Sequence, residues 1–144
     1  MKASPLLLLA TTALLAALAA PAQAADPTGR WKTIDDETGK VKSIVEISET
    51  GGKLRGKVVD VLHSDRGPNP TWDNCKGENK GKPIEGMTIL WDLAPKGEGW
   101  EGGTILDPAK GKTYKSKAKM LDDNRLGVSG CVAFICREQV WVRE

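Results

Sequence analysis

The sequence predicts an all-β protein, a small up-and-down antiparallel β-barrel of about eight strands. Stretches rich in Gly, Asp, Asn and Pro recur about every ten residues, which is the spacing of turns between consecutive antiparallel strands. Segments between these turns alternate apolar and polar side chains, and beyond the N-terminal segment no window carries the apolar stripe of a helix. The 16 glycines and 5 tryptophans also suit a β-rich domain.

The first 24 residues have the pattern of a secretory signal peptide. Lys2 precedes an apolar run over residues 6–20, and residues 22–24 supply a small-x-small cleavage site. The run is shorter than the roughly 20 residues that a bilayer-spanning helix needs. We therefore expect cleavage, export to the periplasm, and one barrel domain over residues 25–144 without stable membrane insertion.

Turn-rich stretches divide the rest of the chain into strand segments. They are residues 35–40, 49–53, 64–83, 94–99, 107–112 and 121–125. Short antiparallel strands hide their edges by closing into a barrel or by stacking as a sandwich, and regular short turns with one long early stretch favour the up-and-down barrel. The long stretch, residues 64–83, is interpreted as a lid or mouth loop, with disorder as the alternative.

The strand segments differ in how clearly they alternate. In TYKSKAKM, residues 113–120, Tyr114 and every second residue after it are apolar or small, and three lysines lie between them. This pattern predicts a strand with one buried and one solvated face. GMTILWDL predicts Met87, Ile89, Trp91 and Leu93 on one side, and VKSIVEIS, residues 41–48, alternates more weakly.

The charge balance bears on the possible partners. The chain has 21 basic and 19 acidic residues, whereas phosphate binding needs a clustered basic excess, so no nucleic-acid partner is expected. The lysine row over residues 110–119 predicts a solvated outer face, with docking on anionic lipid or cell-wall polymer as the alternative. No cofactor or metal is expected, no protein partner is indicated, and the protein is expected to be a monomer.

Cys131 and Cys136 pose a geometric question. Extended backbone would separate their Cα atoms by about 16 Å, while a disulfide needs about 5.5 Å. If they bond, residues 132–135 must form a tight turn, and the last two strands form a hairpin clamped at its tip. We favour this bond over the two alternatives, which are a bond from Cys75 to one of them, and redox or metal chemistry that includes a zinc site with His63.

Several motifs suggest chemistry that their context does not support. GEGWEG, residues 97–102, satisfies G-x-G-x-x-G, but a strand follows it where a dinucleotide site needs a helix. Nothing near the single histidine, His63, marks a residue as its partner nucleophile. Asp107 and Gly111 are expected to form a rigid structural turn. No catalytic residue is predicted, and the protein is not expected to be an enzyme.

The tryptophans supply the functional hypothesis. In a closed barrel the first and last strands pair, so Trp31, which follows Gly29, would stack against Arg143 or Arg137. A high tryptophan content in a commonly hollow fold favours binding of an apolar or amphipathic small molecule, a possible lipophilic ligand, inside the barrel. The candidate wall residues are Trp31, Trp91, Trp100, Tyr114 and Trp141. The alternative is a filled barrel that acts as an envelope interaction or stress-response module.

The pairing of a G-x-W with a terminal arginine resembles the lipocalin-like, or calycin, pattern. From Gly29 onward the chain also resembles the bacterial domain of unknown function 2147 family, through G-x-W-x-T, TGKVKSIVEI, KGKPIEGMTIL, GGTILDPAKGKTYKSK and QVWVR. This resemblance implies an exported calycin-like barrel and no known activity or ligand. Many relatives carry C-x-x-C in the long loop, whereas in this chain Trp72 occupies the position of the first cysteine. This departure favours the Cys131–Cys136 bond.

Overall fold

The computed structural model describes residues 25–64, 67, 70–71, 78 and 80–144. Eight antiparallel strands in these residues close into a barrel, and their order around it follows the sequence. The strands are β1 (Gly29–Ile34), β2 (Val41–Thr50), β3 (Lys53–Val61), β4 (Thr88–Lys96), β5 (Gly99–Asp107), β6 (Lys112–Asp122), β7 (Arg125–Val132) and β8 (Ile135–Arg143). The predicted all-β up-and-down barrel is confirmed.

Some predictions concern residues that the structure does not describe. The proposed signal peptide, Trp72, Cys75 and most of the central part of the long stretch fall in this category. In the described part of the chain, no helix is long and apolar enough to cross a bilayer.

The barrel closes where β1 pairs with β8. Trp31 lies opposite Arg143, and Lys32 lies opposite Val142. The backbone N–H of Glu144 extends this ladder by donating to the carbonyl of Arg30 at 3.0 Å. The predicted meeting of the first and last strands is therefore confirmed, although few residues form the seam.

Strand β6 follows the predicted alternation. Ser116 and Ala118 are buried, Tyr114 and Met120 are half-buried, and the three lysines between them are exposed. Ser116 and Ala118 face cross-strand partners on both sides of the sheet, so this face points into the barrel. A strand between water and an apolar interior needs such a period of two.

Strand β4 departs from the predicted alternation. Leu90 and Leu93 are both fully buried, Trp91 between them is half-buried, and Asp92 has a φ of 61°. The register of β3 with β4 shifts twice, so extra residues of β4 are accommodated as bulges. The prediction that Trp91 shares one regular face with Met87, Ile89 and Leu93 is wrong, because the bulge separates Trp91 from Leu93.

The barrel has two dissimilar ends. The floor end carries the start of β1, the end of β8 and three tight hairpin turns, at residues 51–52, 97–98 and 123–124. The mouth end carries the other four connections, including the long one between β3 and β4. The long connection between β3 and β4 therefore leaves from this end, and most of its central residues lie outside the described part of the chain.

An apolar core extends between the two ends of the barrel. Every strand contributes to it, and its two largest members, Trp31 and Trp141, are 0% and 1% exposed. The other core residues are Val45, Ile47, Leu54, Val58, Met87, Ile89, Leu90, Leu93, Leu106, Ala118, Leu126 and Val128. Removing these side chains from water supplies the main favourable term in folding.

Candidate functional site

An arginine latch closes the floor of the barrel. The guanidinium carbon of Arg143 lies 4.3 Å from the centre of a Trp31 ring, which is the stacking predicted from the sequence. The same guanidinium donates to the backbone carbonyls of Asp123, Thr28 and Asp26 at 2.9, 3.0 and 2.9 Å. One side chain therefore ties together the β6–β7 turn, the segment before β1, and the closing strand.

Gly29 makes room for this latch. Its φ is 116°, which other residues rarely adopt, and a Cβ at this position would lie 3.2 Å from Nη1 of Arg143. Glycine is therefore required at this position of the G-x-W sequence for two reasons: its backbone conformation and the space that Arg143 occupies. Of the two arginines considered, Arg143 is the one that meets Trp31, and Arg137 has a different partner.

The two core tryptophans differ in their hydrogen bonding. The indole N–H of Trp31 donates to the carbonyl of Pro27 at 2.9 Å. The Nε1 atom of Trp141 is buried and has no acceptor among the described residues. An unpaired buried donor costs about 1–3 kcal/mol, so buried indole N–H groups are usually satisfied.

The inner wall becomes polar toward the mouth. Thr33 and Ser43 share a hydrogen bond of 2.7 Å between their hydroxyl oxygens, and the hydroxyl of Ser116 donates to the carbonyl of Ser129 at 2.8 Å. Thr33 and Ser116 are 8% and 3% exposed. Satisfied hydroxyl groups in a barrel wall allow the interior to hold polar as well as apolar groups.

A rim cluster of Asp36, Arg137 and Gln139 lies at the mouth end. The Asp36 carboxylate accepts hydrogen bonds from Arg137 at 3.1 Å and from Gln139 at 3.3 Å. Gln139 lies opposite the buried Val128, and Trp141 is two residues further along the same face of β8. The wall of β8 thus runs from a charged rim through an amide to the unpaired indole N–H.

The predicted wall residues fall into three places. Trp31 and Trp141 are buried in the core, and Trp100 packs half-buried against that core opposite Ala118. Tyr114 lies half-buried closer to the mouth, opposite Ile105. Trp91 lines a separate cleft of about 490 Å³ with Thr50, Lys53, Arg55, Thr88 and Asp92.

Gly130 keeps space beside Tyr114. A Cβ on Gly130 would lie 3.4 Å from Cγ2 of Ile105 and from Cβ of Tyr114. The absence of a side chain on Gly130 allows β7 to pack closely against Ile105 and Tyr114. The inner wall near the mouth therefore combines an aromatic ring and an aliphatic side chain with the polar groups described above.

Sequence reasoning missed the rim cluster. The sequence places Asp36 in a turn and makes Arg137 a possible partner of Trp31, and it gives Gln139 no role in a site. A usable signal was present, because residues 137, 139, 141 and 143 share one face of a straight strand. Once Trp141 is assigned to the inner face of the strand, Arg137 and Gln139 are assigned to the same face.

The turn of Asp107 and Gly111 has the predicted structural role. The Asp107 carboxylate accepts the backbone N–H groups of Ala109 and Lys110 at 2.9 and 3.3 Å. Gly111 has a φ of 65° and donates its N–H to the carbonyl of Asp107 at 2.8 Å. This turn sets the spacing of β5 and β6 at the mouth.

The Cys131–Cys136 disulfide is present. The two residues are cross-strand partners, and the strands continue to Val132 and Ile135, so the turn is tighter than predicted and contains only Ala133 and Phe134. Cys75 is thereby excluded as a partner of either cysteine. The bond also removes two of the three thiols that the zinc alternative needed.

Comparisons with known proteins agree with this architecture. The chain is similar to protein HP1028 of Helicobacter pylori, a structure described as belonging to the lipocalin family, with a TM-score of 0.72 and 19% sequence identity. The similarity covers 83% of this chain and 84% of that one, and at this identity it shows the fold alone. No curated protein shows significant sequence similarity to the chain. Residues 29–143 match the family model described as "Uncharacterized protein conserved in bacteria (DUF2147)", and the chain therefore belongs to the DUF2147 family.

Proposed function

We propose that the protein is an exported, non-enzymatic carrier that binds an amphipathic small molecule in the mouth half of its barrel. Residence in the periplasm is supported by the signal-like N-terminal sequence and by the Cys131–Cys136 disulfide, because disulfides persist in oxidising compartments. Fold similarity to a lipocalin-family protein is compatible with a carrier, although a fold alone does not fix a function.

The observation that carries the proposal is the unpaired indole N–H of Trp141. A ligand oxygen that accepts this hydrogen bond would offset the desolvation cost of the buried donor. The Trp31–Arg143 latch and the packed core block approach from the floor, so the ligand enters from the mouth. The ligand then places a carbonyl, ester or ether oxygen toward Trp141.

The walls above Trp141 suit the rest of such a molecule. Tyr114 and Ile105 offer apolar surface beside Gly130, and Gln139 offers an amide between the interior and the rim. Arg137 is exposed at the rim, where it can meet a polar group that remains close to water. This series of apolar and polar contacts from Trp141 to the rim favours an amphipathic ligand over a purely apolar one.

The second candidate function is a filled interaction module, and the continuous core favours it. All eight strands contribute buried side chains, and the floor half of the barrel is packed around Trp31 and Trp141. In this case the unpaired indole N–H would be met by water, and partners would bind outside the barrel.

Native mass spectrometry of protein purified gently from its own cells distinguishes the two candidates. A carrier is expected to show a reproducible added mass, and the extracted ligand should quench tryptophan fluorescence on titration. Trp141→Phe keeps an aromatic ring but removes the donor, so it should weaken binding about two- to tenfold.

Trp31→Phe is the matched control, because Trp31 already has an acceptor in Pro27. It should lower stability with little effect on affinity. A bare mass, together with no quenching by a panel of lipids, would contradict the carrier and favour the interaction module.

A further inference from the structure

The tip of the β7–β8 hairpin exposes large apolar side chains. Phe134 is 103% exposed, Ile135 80% and Val132 63%. The tip projects from the mouth end, and the disulfide clamps it directly below the turn. Ala133 has a φ of 52°, a conformation that hairpin turns usually assign to Asn or Gly. Both the exposure and the backbone conformation are unfavourable for a turn that only connects two strands.

A basic strip borders this tip on one side. Lys115 is the cross-strand partner of Cys131, Lys117 lies two residues further along the same face of β6, and Lys112 lies at the mouth end of β6 on its other face. All three are exposed, and none makes an ion pair with a residue that the structure describes. Lys110, in the preceding turn, adds a fourth cation and is 3.9 Å from Asp107.

The acidic groups on the other side of the tip are largely engaged. The Asp36 carboxylate pairs with Arg137. The Asp35 carboxylate accepts the backbone N–H groups of Glu37 and Thr38 at 2.9 Å each. Glu37 remains exposed beside them. The unpaired charge next to the apolar tip is therefore predominantly positive.

We propose that the β7–β8 tip docks the protein reversibly on an anionic phospholipid surface. Phe134 and Ile135 enter the boundary between headgroups and acyl chains, and Lys112, Lys115 and Lys117 lie over the headgroup phosphates. An apolar insert flanked by cations matches the two layers of such a surface. This proposal concerns the outside of the barrel and does not depend on the proposed ligand.

The shape of the tip favours a membrane over a protein partner. Three side chains on a convex turn offer roughly a few hundred Å² of apolar surface, whereas a specific protein interface buries at least about 1,000 Å². A fluid lipid surface needs no complementary pocket, so a small rigid protrusion is sufficient. The clamp below the turn holds the tip in one conformation, which reduces the entropy lost on docking.

Cosedimentation with vesicles tests the proposal. The chain used is residues 25–144, which contains all eight strands of the barrel. It should bind vesicles of phosphatidylethanolamine and phosphatidylglycerol, and bind phosphatidylcholine vesicles much more weakly. Phe134→Ser should weaken binding at least about tenfold, because it removes the aromatic side chain that docking would bury in the membrane. Replacing Lys112, Lys115 and Lys117 together by Gln should weaken it at least about tenfold and reduce its salt dependence.

Val140→Ser and Lys57→Gln are matched controls, since they remove an exposed apolar group and an exposed cation away from the tip. Both should bind like the unchanged chain, and all variants should keep its circular dichroism and unfolding midpoint. Unchanged binding by the tip variants, equal losses in the controls, or equal binding to both vesicle types would overturn the proposal. Dimers in solution that Phe134→Ser abolishes, without vesicle binding, would assign the tip to self-association instead.

Discussion

Replacing Arg143 by Lys tests the account of how the barrel closes. The guanidinium of Arg143 donates to three separate backbone carbonyls and covers a face of Trp31. Lysine keeps the positive charge but presents a single ammonium group on a flexible stem. It can reach one of the three carbonyls, and it cannot lie flat on the indole.

The expected loss follows from these contacts. Two hydrogen bonds disappear, each contributing about 1 kcal/mol at a half-buried site, and the weaker ring contact removes up to about 1 kcal/mol more. We expect Arg143→Lys to lower the free energy of unfolding by about 2–3 kcal/mol. For a domain of this size, that corresponds to a fall of about 10 °C in the melting temperature.

Urea unfolding followed by tryptophan fluorescence measures this change, because Trp31 and Trp141 leave the core together. Arg30→Lys is the control: Arg30 also pairs with a C-terminal residue, Glu144, but both side chains are solvent-exposed. It should leave the unfolding midpoint almost unchanged. A loss below about 0.5 kcal/mol for Arg143→Lys, or equal losses in the two variants, would refute the latch.

Three further predictions concern other parts of the barrel. Replacing Cys131 and Cys136 by Ser should lower the free energy of unfolding by about 2 kcal/mol, and a reductant should do the same to the unchanged chain but not to the variant. Gly103→Ala should cost at least about 2 kcal/mol, since its Cβ would lie 2.5 Å from a backbone carbonyl oxygen of β4, whereas Gly130→Ala, with contacts of 3.4 Å, should cost less in the same urea titration. The backbone N–H of Thr28, and then its hydroxyl, lower the pKa of Asp26 below its usual value of 3.8. A depressed carboxyl pKa stabilises the fold above that value and loses its effect as pH falls through the folded-state pKa. The urea midpoint of unfolding should therefore decrease as the pH is lowered below about 4, and it should decrease less steeply in Asp26→Asn. Equal slopes in the two proteins would contradict the assignment.

The sequence was most informative for strands whose two faces meet different surroundings. Apolar and polar side chains alternate over residues 113–120 because one face of β6 meets water and the other meets the core. This two-residue period can be recognised in the segment alone, without knowledge of the neighbouring strands. The expectation of export favoured the Cys131–Cys136 bond, and the bond in turn required a tight turn, because five residues of extended chain cannot satisfy a disulfide. Barrel closure predicted that Trp31 meets an arginine of the last strand, with Arg143 and Arg137 as the two candidates, and the structure selects Arg143.

Other features depend on contacts that no local pattern encodes. The bulge at Asp92 arises from the fit of β4 against β3, and nothing in GMTILWDL marks it. The rim cluster joins Asp36 to Arg137 across 101 positions of sequence. The β7–β8 turn was predicted to be wider than it is, because Ala133 and Phe134 are not turn-forming residues.

The seam of the barrel has a consequence for how this chain acquires its structure. Arg30 meets Glu144, 114 positions away, and the last two residues complete the first strand. A growing chain consequently has β2 but not β8 available as a partner for β1, and contacts between such distant residues form slowly. The barrel therefore closes only after β8 has reached β1, the strand most distant from it in the sequence.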